Sequence, residues 1–300
     1  MQGYSFHHQV TSPWKQFTGF FRRGDALSVL ILINVVIWVI ISLIRVGFAL
    51  SGESSFAFLQ STLAFLGAPA SPEALATSFW TLITYSFVHI DFFHLLFNML
   101  WLYWIGKLFI EYMSQHQLIW VYLLGGMSGY LVYMLAFNAF PGFLHIAPTS
   151  RLIGASAAVM AIVTAIAFYL PNYRINLLFL GRIRLIHLAI ALFVLDLMMI
   201  SSNNPGGHLS HIGGCIFGYL YVLSIRKNWL KKLKLKVLFK PKPKAKIKYR
   251  PGSEKEEKEY FEDKKHMEEE IDRILDKIKL TGYQGLTAKE KETLFKYSKK

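Results

Sequence analysis

The chain has 300 residues, 53% of them hydrophobic and only 17% charged, with a mean hydropathy of +0.35. That is too apolar for an ordinary soluble domain and indicates a polytopic membrane protein. The single cysteine, Cys215, excludes an internal disulfide and a cysteine-cluster metal site, and leaves that residue the role of a small packing group. Of the formal charge of +14, twelve units come from Lys and Arg in residues 226–250, where there is no acid, leaving +2 for the rest. The basic signal therefore belongs to one tail segment.

Residues 1–25 are mixed and polar, with Lys15, Arg22 and Arg23 close before the first apolar run. These charges favour a cytoplasmic start. The uncharged run 26–44 is too long for a signal-peptide core and no small-x-small cleavage site follows it, so it reads as a retained first span. Arg45 at its end can snorkel to the interface. Residues 46–90 stay richer in apolar and aromatic groups than a solvated loop, which indicates short, partly embedded or interfacial helices on the outer side. A second span follows at 90–109, with His94 and Asn98 four residues apart on one helix face. The third, 118–137, has Gly125, Gly126 and Gly129 as close-packing positions.

The fourth span, 152–170, is stopped by Pro171. Arg174, Arg182 and Arg184 precede the fifth, 185–200, whereas the connection 201–207 that follows is uncharged. The sixth span, 208–225, runs into the lysine-rich tail. Six spans with both termini cytoplasmic satisfy the positive-inside rule at the short loops. The expected fold is thus all-α, a six-helix membrane bundle over residues 26–226 with a charged cytoplasmic tail. Residues 227–252 read as a basic juxtamembrane linker that anchors the topology and attracts anionic lipid head groups. Aromatic platforms are too sparse there for nucleic-acid binding. In residues 253–300, Ile271, Ile274, Leu275 and Ile278 recur at helical spacing and Thr287-x-x-Glu290 forms a capping-box pattern, so two short amphipathic helices around 282–285 are expected.

Ser156 is a lone hydroxyl in the small-residue run Gly154-Ala155-Ser156-Ala157-Ala158, and His211 opens a second small-residue stretch through Gly214 and Gly218. A serine in an apolar helix is ordinarily satisfied by the carbonyl one turn back. Here Gly214 and Gly218 are expected to face Gly154, Ala157, Ala158 and Ala161, because small residues on both helices let the backbones approach in lipid. That approach would bring a nucleophile, Ser156, to a base, His211, while the Ser156 N–H with His94 or Asn98 could hold an oxyanion.

The chain resembles rhomboid intramembrane serine proteases of the bacterial six-span type. The resemblance rests on His89-x4-His94-x3-Asn98, Gly154-x-Ser156 and His211-x2-Gly214-x3-Gly218, in that order on the second, fourth and sixth spans. It implies a catalytic dyad of Ser156 and His211 and an oxyanion hole formed with His94 and Asn98. It also implies transmembrane protein substrates cut near the outer interface, with neither cofactor nor metal. A multi-pass position in a bacterial inner membrane is the matching location. Two residues depart from the family pattern: Ala157 follows the nucleophile where Gly is common, and Trp80-Thr81 stands where a Trp-Arg pair is common.

His208 lies one turn before His211 but lacks the glycines three and seven residues later. Asp196 invites a triad reading, yet a structural hydrogen bond is the expected role, since the resemblance implies a dyad. His89 is expected to be a structural partner near the outer loop. No His-Glu-x-x-His motif occurs. Two other functions remain open at this point. One is a non-proteolytic rhomboid-like protein that binds transmembrane clients; the other is a transporter with a polar path along His94, Asn98 and Asp196, for which neither an internal repeat nor interrupted helices are evident.

Overall fold

The computed structural model describes residues 24–177 and 181–227 and, further on, 273–274, 276–278, 285–287, 289–291 and 293–294. The basic cluster before the first span, the lysine-rich linker beyond 227, and Ile271 and Leu275 lie outside the described residues.

Helix α1, Ala26–Leu50, begins at Asp25, whose carboxylate accepts from the Ser28 N–H at 2.8 Å. It runs past the expected end at 44 because nothing breaks it before Gly52. Its buried face is the stripe Leu27, Leu30, Ile31, Asn34 and Ile41, while Leu43, Ile44 and Val46 are exposed. Helices α2, Ser55–Leu66, α3, Pro72–Thr77, and α4, Thr81–Thr84, fill the next connection with the short helices expected there. Strand β1, Ala68–Pro69, lies between the first two. Helices α5, Phe92–Tyr112, and α6, Gln115–Ala139, follow, joined by Met113 and Ser114; Ser114 and Gln117 make a reciprocal capping box at the start of α6. The turn α7, Pro141–Leu144, leads to β2, Arg151–Leu152, which pairs antiparallel with β1.

Helix α8 is Ser156–Tyr169, four residues shorter at its start than the expected span. The reason is Gly154, whose φ of +114° is incompatible with a right-handed helix and turns the chain from β2 into α8. Strands β3, Arg174–Leu177, and β4, Gly181–Arg184, form a hairpin that the arginine cluster did not announce. Helix α9, Leu185–Met198, continues as a 3-10 turn to Ser201, and α10, Pro205–Arg226, starts with Pro at N1 behind the cap Asn204.

Among the described residues, four helices, α1, α5, α6 and α10, are long and apolar enough to cross a membrane. Helices α8 and α9 have 14 residues each, about 21 Å of rise, short of a hydrocarbon core of about 30 Å. For α8 this is tolerable because Ala157 to Ala167 are all buried, so its neighbours are protein rather than lipid.

Helix association in a bilayer gains little from apolar burial and depends on close packing. The bundle α6, α8 and α10 is built accordingly. A Cβ on Gly214 would collide with the Ala157 carbonyl oxygen, and one on Gly218 with the Ala161 carbonyl oxygen and, at 3.0 Å, the Ala165 nitrogen. Gly125 is similarly tight against Ala161, and Gly129 lies against Ala157 and the Ser210 carbonyl. The expected pairing of α8 with α10 thus holds for Ala157 and Ala161. Gly154 instead meets His94 of α5, and the Ala158 Cα lies 3.8 Å from where a Cβ on Gly125 of α6 would stand. The outer connection is tied to α6 by buried tyrosines: Tyr85 donates to the Gly126 carbonyl at 2.6 Å and Tyr130 to the Pro69 carbonyl at 2.8 Å.

Residues 243–300 form a separate compact unit. Within it the capping box is present: Glu290 accepts from the Thr287 N–H at 2.7 Å and Thr287 Oγ1 accepts from the Glu290 N–H at 3.4 Å. Glu290 also pairs with Lys277 at 2.8 Å, and Ile274 is buried.

Candidate active site

Ser156 is the first residue of α8, and its position is set by the loop before it. The Gly154 N–H donates to the Tyr85 carbonyl at 2.9 Å, and the Ala155 N–H donates to His89 Nε2 at 3.3 Å. Accepting at Nε2 requires that nitrogen to be unprotonated, and burial of the ring pushes the His89 pKa down to about 3, with the neighbouring His94 acting in the same direction. His89 therefore braces the serine loop. That is the kind of structural role expected of it, with the backbone next to Ser156 as the partner.

No side chain caps α8. As the first residue of the helix, Ser156 has no intrahelical acceptor for its N–H, which donates to none of the described residues and stands at the positive end of the helix dipole. His94 comes close because Gly154 has no side chain: a Cβ there would be 2.7 Å from the ring Cε1 and 2.8 Å from Nε2. The α5 N-cap Asp91 accepts from the His94 N–H at 2.9 Å, and the rings of His89 and His94 meet edge to face with centroids 4.9 Å apart. Asn98, one turn on, donates one amide hydrogen to the His94 carbonyl at 2.8 Å, which leaves its second N–H available.

His211 lies on the first half of α10. Its Nδ1 is 2.8 Å from Asp196 Oδ1, and Nδ1 of His208 is also 2.8 Å from the same oxygen. The expected structural hydrogen bond of Asp196 is present, then, but its partners are the two histidines. Ligand atoms about 2.0 to 2.1 Å from a tetrahedral ion stand about 3.3 Å apart; contacts of 2.8 Å are N–H···O hydrogen bonds to a carboxylate. The Ser156 hydroxyl makes no hydrogen bond among the described residues.

Ser156, His211, His94 and Asn98 line one cavity of about 600 Å³, bounded by α5, α8, α9 and α10. All four residues singled out in the sequence meet there. The same wall includes Asp196 and Arg151, and Arg151 is a lining residue that motif spacing missed. Its signal was faint: a charge five residues before the serine, carried inward by β2. Thr81, in the place of the family's common Arg, is buried and donates to the Ser78 carbonyl at 2.6 Å, while Trp80 donates to the Phe65 carbonyl at 2.9 Å. Both residues are used within the outer connection and neither lines the cavity. A hydroxyl without a hydrogen bond, an imidazole with Nε2 unengaged among the described residues, and N–H groups around one cavity are the kinds of group from which an acyl-transfer site can be built.

Residues 76–228 match the family model of the Rhomboid domain, and residues 255–300 match a family of unknown function (DUF6576). Over 157 residues the chain is 31% identical to "RHOMBOID-like protein 12, mitochondrial" of Arabidopsis thaliana, an alignment covering 49% of this chain and 47% of that protein. The chain thus spans about half the length of the curated relative it matches.

Proposed function

The chain belongs to the rhomboid family of multi-pass membrane proteins, and from that premise we propose that it is an intramembrane serine endopeptidase acting on membrane-anchored polypeptides. The observation that carries this reading is the convergence of Ser156, His211, His94 and Asn98 on one cavity at the uncapped start of α8. His211 Nε2 takes the proton of Ser156 Oγ as that oxygen bonds to a substrate carbonyl carbon. The Ser156 N–H, His94 and Asn98 stabilise the oxyanion. Collapse expels the amine, which receives the proton from His211, and water then hydrolyses the acyl-enzyme by the same groups in reverse roles.

The reading extends to topology. Helices α8 and α9, each short, complete six spans with the four long ones. Arg174, Arg182 and Arg184 lie on the cytoplasmic side with both termini, and Ser156 and His211 near the outer end. The basic segment beyond 226 holds anionic head groups, and residues 253–300 are a cytoplasmic accessory unit. The test is reconstitution in liposomes with a panel of single-span reporters. Cleavage by wild type and its loss in folded Ser156→Ala is the expected result. Reporter binding without cleavage, unchanged in Ser156→Ala and His211→Ala, would instead identify a client-binding protein.

A further inference from the structure

A dyad needs no carboxylate, yet Asp196 of α9 turns one into the site. Its Oδ1 is 2.8 Å from Nδ1 of both His211 and His208, and its side chain is only 11% exposed. Among the described residues that line the cavity it is the one acid. Among the described residues, the charged and titratable groups that share the cavity with His211 or touch it are Asp196 from α9, His208 one turn earlier on its own helix, His94 from α5 and Arg151 from β2. Three of these four neighbours are basic. Asp196 alone can offset a positive charge arising on the His211 ring.

We propose that Asp196 is a positioning residue for the reaction, so that the site works as a Ser156–His211–Asp196 relay; the inference rests on the protease reading above. A carboxylate oxygen accepts and cannot donate, so a contact of 2.8 Å requires a proton on His211 Nδ1. That fixes the tautomer with its lone pair on Nε2, the nitrogen a base must present to Ser156. When the Ser156 O–H bond breaks and Oγ bonds to the carbonyl carbon, the proton goes to Nε2 and the ring becomes imidazolium. Asp196 stays ionised and lowers the energy of that charge. The proton then leaves with the amine as the C–N bond breaks, and the carboxylate is unchanged throughout.

His208 gives this arrangement a property that a simple tether would lack. It donates to the same oxygen and draws on the same negative charge, so it competes with His211 for Asp196. Removing the carboxylate and removing the competitor must therefore act on His211 in opposite directions. Loss of Asp196 makes His211 a weaker base, and loss of His208 makes it a stronger one.

The experiment measures the second-order rate of labelling by a fluorophosphonate probe on the detergent-purified full chain from about pH 5 to about pH 9, where histidine titrates. Ser156→Ala serves as the blank and thermal melts verify folding. Asp196→Asn, which preserves shape, is expected to lower the plateau rate about ten- to a hundredfold, the range of a lost charge-assisted hydrogen bond. The midpoint of the rise in rate moves to lower pH. His208→Phe moves that midpoint to higher pH, and Asp196→Glu recovers part of the rate. A folded Asp196→Asn with the wild-type rate and midpoint would overturn the inference while leaving the protease reading intact. So would midpoints displaced in the same direction by Asp196→Asn and His208→Phe, the pattern of a purely structural contact. Wild type labelled no faster than Ser156→Ala overturns the protease reading itself, and the relay with it.

Discussion

Replacing Gly214 by Ala probes the contact on which the site's geometry depends. The added methyl would fall on the Ala157 carbonyl oxygen, well inside the 3.4 Å of ordinary van der Waals contact. The obstacle is backbone, so no rotamer relieves it, and α8 and α10 must separate by about 1 Å. A gap of about 0.5 to 1 Å forfeits a quarter to a half of each dispersion contact. Overpacking of this kind costs about 1 to 3 kcal/mol, and the rigidity of both partners sets the expectation near the upper end. Gly218→Leu, with two backbone atoms in the way, should cost about 3 kcal/mol or more. The control is Gly47→Ala in α1, where nothing lies within 4 Å. There the gain in helix propensity should stabilise by about 0.5 to 1 kcal/mol. Denaturing-detergent titrations of purified protein read both effects. Equal midpoints for Gly214→Ala and Gly47→Ala would refute the backbone contact between α8 and α10.

Three further outcomes are expected. Tyr122→Phe removes a hydroxyl that donates to the Ser86 carbonyl at 2.7 Å and accepts from Asn34 Nδ2 at 3.1 Å. Two buried polar groups lose a partner, and the same titration should register about 1 to 3 kcal/mol; an unchanged midpoint would argue against the network. In the tail, the Lys277 ammonium first, then the Thr287 N–H and hydroxyl, hold the Glu290 carboxyl at about 2, below its ordinary 4.5. A folded pKa below the unfolded one means that the contribution is complete above about pH 4.5 and fades as pH falls towards 2. Hydrogen exchange over residues 285–294 of the full chain, corrected for intrinsic rates, should show less protection at pH 3 than at pH 6. Glu290→Gln should show the low-protection state at both values, and protection indifferent to pH in wild type would contradict the ion pair. Deleting residues 253–300 should leave fluorophosphonate labelling in detergent within about twofold of wild type; abolished labelling of a folded truncation would make the tail part of the enzyme.

Much of the site was legible because its chemistry needs residue types at fixed spacings. Close helix approach demands small residues, so Gly214 and Gly218 announced the contact with Ala157 and Ala161. The cap at Thr287 and Glu290 was equally readable, being local. What escaped the sequence depends on backbone direction or on long-range partners. The positive φ of Gly154 starts α8 at Ser156 instead of 152 and turns Gly154 towards His94, away from α10. Arg151 reaches the cavity only because β2 pairs with β1, eighty-odd residues earlier in the chain. The partners of Asp196 depend on how α9 is rotated against α10, and a helix apolar at every position but His187 and Asp196 carries no periodicity from which to read that rotation.

The central claim is that Ser156 is an activated nucleophile, and mass spectrometry of the fluorophosphonate-treated protein tests it most directly. One adduct per chain, on the peptide containing Ser156 and absent from folded Ser156→Ala and His211→Ala, is the predicted result. A folded wild type without an adduct, or an adduct that persists in Ser156→Ala, would contradict it.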